Sequence, residues 1–193
     1  SPLRAKMLKE KEFKIKLPSG KDMKKIAIQT KCKKMLADVF TPVGIYLRLR
    51  DRFRDTVLLE STDHHAAENS WSFIGINAIA GMEITSANSI EFKLPGLPPE
   101  RTALGAGQDV PKLLFEFMNR FEASGDSKEA RFAQGLYGYT TYDAVQFFDS
   151  IKISTKATKV PAIPLMRYRL YQYVIALNHH KDELYICENH IEG

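Results

Sequence analysis

Segments with the apolar pattern of strands follow one another along this chain, and they do not alternate with helices at the spacing of a βαβ unit. That feature excludes a doubly wound parallel sheet. It points to an α+β domain with mainly antiparallel sheets, β-sandwich-like, and about three helices. The clearest of these segments is the last. Met166 to Leu177 alternates in its first half, Asn-His-His-Lys-Asp turns, and Glu183 to Cys187 returns, which spells a hairpin.

Upstream, Lys25 to Gln29 and Glu12 to Leu17 read as short strands, the second as an edge strand. Thr56 to Ser61 reads as a strand whose Val57-Leu58-Leu59 run suggests burial on both faces. Trp71 to Thr85 supplies one or two more strands, with Gly75 and Gly81 as bulges or bends. Ser89 to Leu94 alternates again before the Pro95-Gly96-Leu97-Pro98-Pro99 loop.

Two helices announce themselves by their starts. Thr41-Pro42 reads as an N-cap and a first-turn proline, opening a helix to about Phe53 with Val43, Tyr46 and Leu47 as its buried stripe. Asp109 caps a second, with Leu114, Phe117, Met118 and Phe121 on one face. Helical spacing returns at about Tyr142, and a loop rich in Lys, Thr and Pro ends at Pro164.

With 193 residues, the chain can bury one substantial core. No apolar run approaches the ~20 residues of a membrane helix, and no signal-peptide core is visible. Cys32 and Cys187 are too few for a disulfide framework, so both are expected as reduced thiols in a cytoplasmic protein. The formal charge of +5 is unevenly placed. Residues 1–34 hold 12 Lys/Arg against 3 Asp/Glu, leaving 16 against 20 in the rest. The division is therefore a basic leader, 1–32, and a body, 33–193. Binding of nucleic acid by the leader is the rival reading, weakened by the scarcity of aromatic residues among its lysines.

No phosphate-binding loop or dinucleotide fingerprint is present. His64-His65 and His179-His180 are adjacent pairs, which on a strand point to opposite faces and make poor metal sites. Cys187, Glu188 and His190 form a weak cluster near the end. Ser61 with His64 lacks a nucleophile elbow. From these residues alone no catalytic or metal-binding group is assigned, and Glu60-Ser61 is a polar strand end that meets either its own loop or a small polar ligand.

The order of four short motifs adds to this. "LADVFTPVGIYLRL", "LLES", "SWSFIG" and "GLYGYTTYDAVQFF" together resemble the N-terminal region of the large subunit of anthranilate synthase, over roughly Lys33 to Cys187. The paralogous aminodeoxychorismate synthase shares the Leu-Leu-Glu-Ser region, and "YDAVQFF" looks more like the anthranilate branch. The resemblance implies a regulatory N-terminal part of an enzyme that converts chorismate to anthranilate. It implies Mg2+ and chorismate residues in a C-terminal portion that this chain is expected to lack, and ammonia from a glutamine amidotransferase partner, component II. The fragment alone is then expected to be inactive and without a cofactor of its own. It also implies half of an L-tryptophan feedback site at Leu59, Glu60 and Ser61, with Ser61 holding the amino-acid end. Ser70-Trp71 stands where the family has Arg-Tyr before Ser-Phe-Ile-Gly, so any salt bridge of that arginine is lost, and Trp71 reads as a pocket wall or as core.

Overall fold

The computed structural model describes residues 25–61, 70–105, 107–149 and 163–192. The expected strand at Glu12 to Leu17, the His64-His65 pair and most of the Lys/Thr/Pro loop lie outside these residues. Within them, β1 (Ile26–Leu36), β2 (Val57–Glu60), β3 (Trp71–Ser86), β4 (Ser89–Lys93), β5 (Glu100–Ala103), β6 (Phe121–Gly125), β7 (Tyr137–Thr140), β8 (Met166–Asn178) and β9 (Glu183–Glu192) join one sheet. Its main path runs β5-β4-β3-β8-β9-β1-β6, with β2 added to β3 and β7 to β8. Every pairing is antiparallel except β1 with β6. The α+β, mainly antiparallel architecture is therefore as expected.

The C-terminal hairpin is the spine. Tyr173 pairs with Glu188 and Asn178 with Glu183, so "NHHKD" makes the turn. Asn178 Oδ1 accepts from the backbone N–H of His180 and of Lys181, which holds that turn closed. The predicted pair of strands after Trp71 is one long strand, paired with β8 from Trp71↔Asn178 to Ile84↔Met166. Its bulge falls between Ala78 and Ala80, not at a glycine. Gly75 and Gly81 instead make room. A Cβ on Gly75 would meet the Tyr171 ring at 2.6 Å, and one on Gly81 the Arg169 side chain at 2.5 Å.

Helix α1 (Pro42–Leu49) starts as predicted, with Thr41 Oγ1 accepting from Gly44 N at 3.1 Å. It stops four residues before Phe53, and its buried stripe is shifted. Pro42 is buried, Ile45, Tyr46 and Leu49 pack onto the sheet, and Val43 and Leu47 face solvent. Helix α2 (Val110–Met118) is capped by Asp109, whose carboxylate accepts from Lys112 N at 2.9 Å. Val110, Leu113 and Phe117 are its buried row; Met118 is exposed and Phe121 opens β6. Two 3₁₀ segments, Lys128–Phe132 and Tyr142–Phe147, complete the described helices.

The sheet curls around α2. One cluster unites Ile28 of β1, near one end of the path, with Ile90 and Phe92 of β4, near the other, and with Phe117 of α2. On another part of the sheet, α1 covers Ile74, Ile76, Ile175 and Leu177. Burial of such aliphatic side chains contributes about 1.5–3 kcal/mol each. That is why a sheet with only short helices can hold together.

The cysteines correct the expectation of free thiols: Cys32 and Cys187 form a disulfide across a separation of 155 residues. Register is the cause, because β1 and β9 place the two as directly opposed partners, with Cα atoms 4.1 Å apart. A cytoplasmic location therefore loses the support that two reduced thiols would have given it. Among the described residues, no helix is long and apolar enough to cross a membrane.

Candidate functional site

Strand β2 is a four-residue addition to the sheet, bonded among the described residues to β3 alone, with Leu59 opposite Phe73 and Glu60 opposite Ser72. Ser61 extends that register by one: its N–H donates to the Trp71 carbonyl at 3.2 Å. Side chains alternate along a strand. Leu59, Ser61, Phe73 and Trp71 thus share one face. Glu60 and Ser72 share the other. The structure brings three of the four sequence-predicted positions to one place and separates Glu60 from them. The expected burial of Val57-Leu58-Leu59 is only partial, with all three half-buried. Val57 and Leu58 pack on clusters of opposite faces, as their alternation requires.

Trp71 is half-buried at the start of β3, neither fully in the core nor free. Its ring lies 4.8 Å from that of Phe132 and 6.0 Å from that of Tyr185, and Phe73 joins from 6.2 Å. Phe132 is also 5.9 Å from Tyr185 and 5.8 Å from Phe73. Such offset and tilted pairs are favourable beyond the area they bury, by about 0.5–1.5 kcal/mol each. Phe132 and Tyr185 lie in none of the four motifs, and nothing in "GLYGYTTYDAVQFF" marks its Tyr137 as part of this wall. They come from three separate elements, and only strand register and the 3₁₀ turn assemble them.

Charge stands at one edge of this aromatic wall. Lys34 Nζ donates to Glu183 Oε1 at 2.5 Å and lies 5.7 Å from the centre of the Tyr185 ring. The Tyr185 hydroxyl donates to Glu183 Oε2 at 2.7 Å. The hydrogen bond to Glu183 raises the Lys34 pKa above its ordinary value, and the same bond, followed by that from Tyr185, lowers that of Glu183. An ammonium, a carboxylate and a flat apolar surface thus lie within one neighbourhood. Burial pushes the Tyr137 hydroxyl up to about 12, so it stays protonated, and it donates to the Phe132 carbonyl.

On the opposite face, Ser72 Oγ hydrogen-bonds His179 Nε2 at 2.7 Å, while His179 N donates to the Ser70 carbonyl at 3.0 Å. His179 is therefore tied to the strand end as well as solvated. The Cys187-Glu188-His190 cluster does not assemble as a metal site. Cys187 is spent in the disulfide, and His190 Nε2 lies 3.3 Å from a Glu188 oxygen. Among the described residues, no group of three or more His, Cys, Asp or Glu side chains is placed to hold a metal ion.

No family model matches the chain. Curated relatives do. Over 159 residues it is 23% identical to anthranilate synthase component 1 of Lactococcus lactis subsp. lactis, covering 82% of this chain and 32% of that protein. Over 157 residues it is 24% identical to component 1 of Mycobacterium tuberculosis, covering 81% of this chain and 30% of that protein. Among solved structures, it is similar to anthranilate synthase component I from Streptococcus pneumoniae. There the TM-score is 0.42 at 18% identity, over 81% of this chain and 31% of that one. The chain spans about a third of the length of the curated relatives it matches. It is homologous, at low identity and over about 81% of its length, to the N-terminal ~30% of anthranilate synthase component I.

Proposed function

We propose that this chain is the regulatory N-terminal part of an anthranilate synthase large subunit and contributes one wall of a tryptophan feedback site. The observation that carries the proposal is the placement of Leu59 and Ser61 beside Phe73 and Trp71 on one face of a half-open sheet edge. Homology to the N-terminal part of component I supports it. A free amino acid needs a hydrogen-bonding partner for its ammonium group and an apolar wall for its side chain. Ser61 supplies the first through its exposed hydroxyl; Leu59 and Trp71 supply the second. Glu60, on the other face, is not part of this wall.

No reacting group is assigned to this chain. Conversion of chorismate, Mg2+ and the ammonia from component II belong to other parts of the assembled enzyme. Feedback then works by population shift: tryptophan favours the arrangement of this part that holds the enzyme from closing. Holding one wall of a site, the chain alone binds weakly, on the order of a millimolar. Titration with L-tryptophan, followed by amide NMR, should move the signals of Leu59, Ser61 and Trp71 first. Ser61→Ala should abolish those shifts without unfolding the sheet. Shifts centred elsewhere, or unchanged by Ser61→Ala, would remove the site assignment.

A further inference from the structure

The corner between β1 and α1 leaves a run of apolar side chains to solvent. Leu36, Val39, Phe40, Val43 and Leu47 fall within twelve residues, and each is exposed, from 41% for Phe40 to 76% for Val39. Val43 and Leu47 stand one helical turn apart on the face of α1 that points away from the sheet, since Pro42, Ile45, Tyr46 and Leu49 occupy the inner face. Val39, Phe40, Val43 and Leu47, exposed before and along α1, are the kind of apolar side chains that mark an interaction surface.

Charge around the corner is mixed with a basic excess: Glu183 pairs with Leu36 at the end of β1, and the Asp182 carbonyl accepts from Ala37 N. Residues 31–55 carry seven cations (Lys31, Lys33, Lys34, Arg48, Arg50, Arg52 and Arg54) against Asp38, Asp51 and Asp55. All seven cations are exposed. One of them, Arg50, has Asp51 at 3.6 Å, and Lys34 has Glu183. Arg50, Arg52 and Arg54, with Asp51 and Asp55 between and beside them, also line the open groove that runs from Tyr46 past Phe53 to Thr56. An apolar row on a short rigid helix, rimmed by arginines, is complementary to a helix with an apolar stripe and flanking carboxylates.

We propose that the β1–α1 corner docks an acidic amphipathic helix of a partner protein, the apolar stripe seating on Phe40, Val43 and Leu47 and the carboxylates meeting Arg48, Arg52 and Arg54. A lipid surface is the poorer fit. Three carboxylates are set among the cations, and α1 is an eight-residue helix with only two outward apolar side chains. The proposal stands apart from the tryptophan reading, which uses the far end of β2.

The test uses a synthetic helical peptide with a leucine stripe and glutamate flanks, and a twin in which lysine replaces every glutamate. Fluorescence anisotropy should show the acidic peptide binding at least tenfold tighter than the basic one, with affinity falling as salt rises. Leu47→Asp and the pair Arg52→Glu, Arg54→Glu should each weaken it at least tenfold while circular dichroism and melting stay unchanged. Equal binding of the two peptides, or binding indifferent to these variants, overturns the proposal. So does wild type that sediments as a dimer and becomes a monomer on Leu47→Asp, since a second copy then owns the surface. Preferential flotation with vesicles containing anionic lipid would overturn it in favour of a membrane.

Discussion

The centre of the sheet and its β2 edge are built on opposite terms. Where β1, β9 and β8 run together, polar groups are buried and completely matched. Asn189 Nδ2 donates to the carbonyls of Ala133 at 2.7 Å and Tyr171 at 2.9 Å, while its Oδ1 accepts from the Thr30 hydroxyl at 2.6 Å. Gln134 Nε2 donates to the same hydroxyl oxygen at 3.2 Å. Two positions from Thr30 the Cys32–Cys187 bridge joins the same strands. At the β2 edge, four residues have one partner strand, and Glu60 and Ser61 end in solvent. A network in which every donor is used fixes one arrangement. An edge with unused hydroxyl and carboxylate groups leaves them free for something else, which is where an effector site is cheapest to build.

Reducing the bridge attacks the centre hardest. A cross-link closing so long a loop contributes about 5 kcal/mol by the chain-entropy relation. Denaturant unfolding with and without a reductant, or of Cys32→Ser/Cys187→Ser, should therefore show the largest loss of stability of any change named here. Equal midpoints would mean the β1–β9 pairing needs no covalent help. Asn189→Leu should come next, at about 3 kcal/mol, because it strands two buried carbonyls and the Thr30 hydroxyl at once. A loss as small as that of a surface change would show that water replaces the carboxamide. Ser61→Ala should lie within about 0.5 kcal/mol of wild type, as for exposed positions without partners. A melt that falls by much more would make Ser61 structural, and the contrast between centre and edge would fail.

Much of the edge was legible in advance. Thr41-Pro42 and Asp109 cap their helices as their side-chain chemistry demands, and Leu-Leu-Glu-Ser ends a strand. The stripe of α1 was not, because helical periodicity finds an apolar row but not which row faces the sheet. Val43 and Leu47 satisfied the pattern and lost the inner face to Pro42, Ile45 and Leu49. Strand β6 was missed because Phe121-Glu122-Ala123-Ser124-Gly125 has no alternation to read; it is a strand only because β1 pairs with it in parallel. Gly138 in "GLYGY" has a packing explanation unavailable from the motif, since a Cβ there would strike the backbone carbonyl of Arg167.

Local chemistry therefore determined the helix starts, the C-terminal hairpin and the mainly antiparallel class, each of which depends on residues close together in the chain. The tertiary structure decided what depends on register between distant strands. It made a bond of two cysteines 155 residues apart, gathered Trp71, Phe132 and Tyr185 into one wall, and put Ser61 and Glu60 on opposite faces. A shift of one residue in any pairing would reverse every face in it, and no pattern within a single strand carries that information.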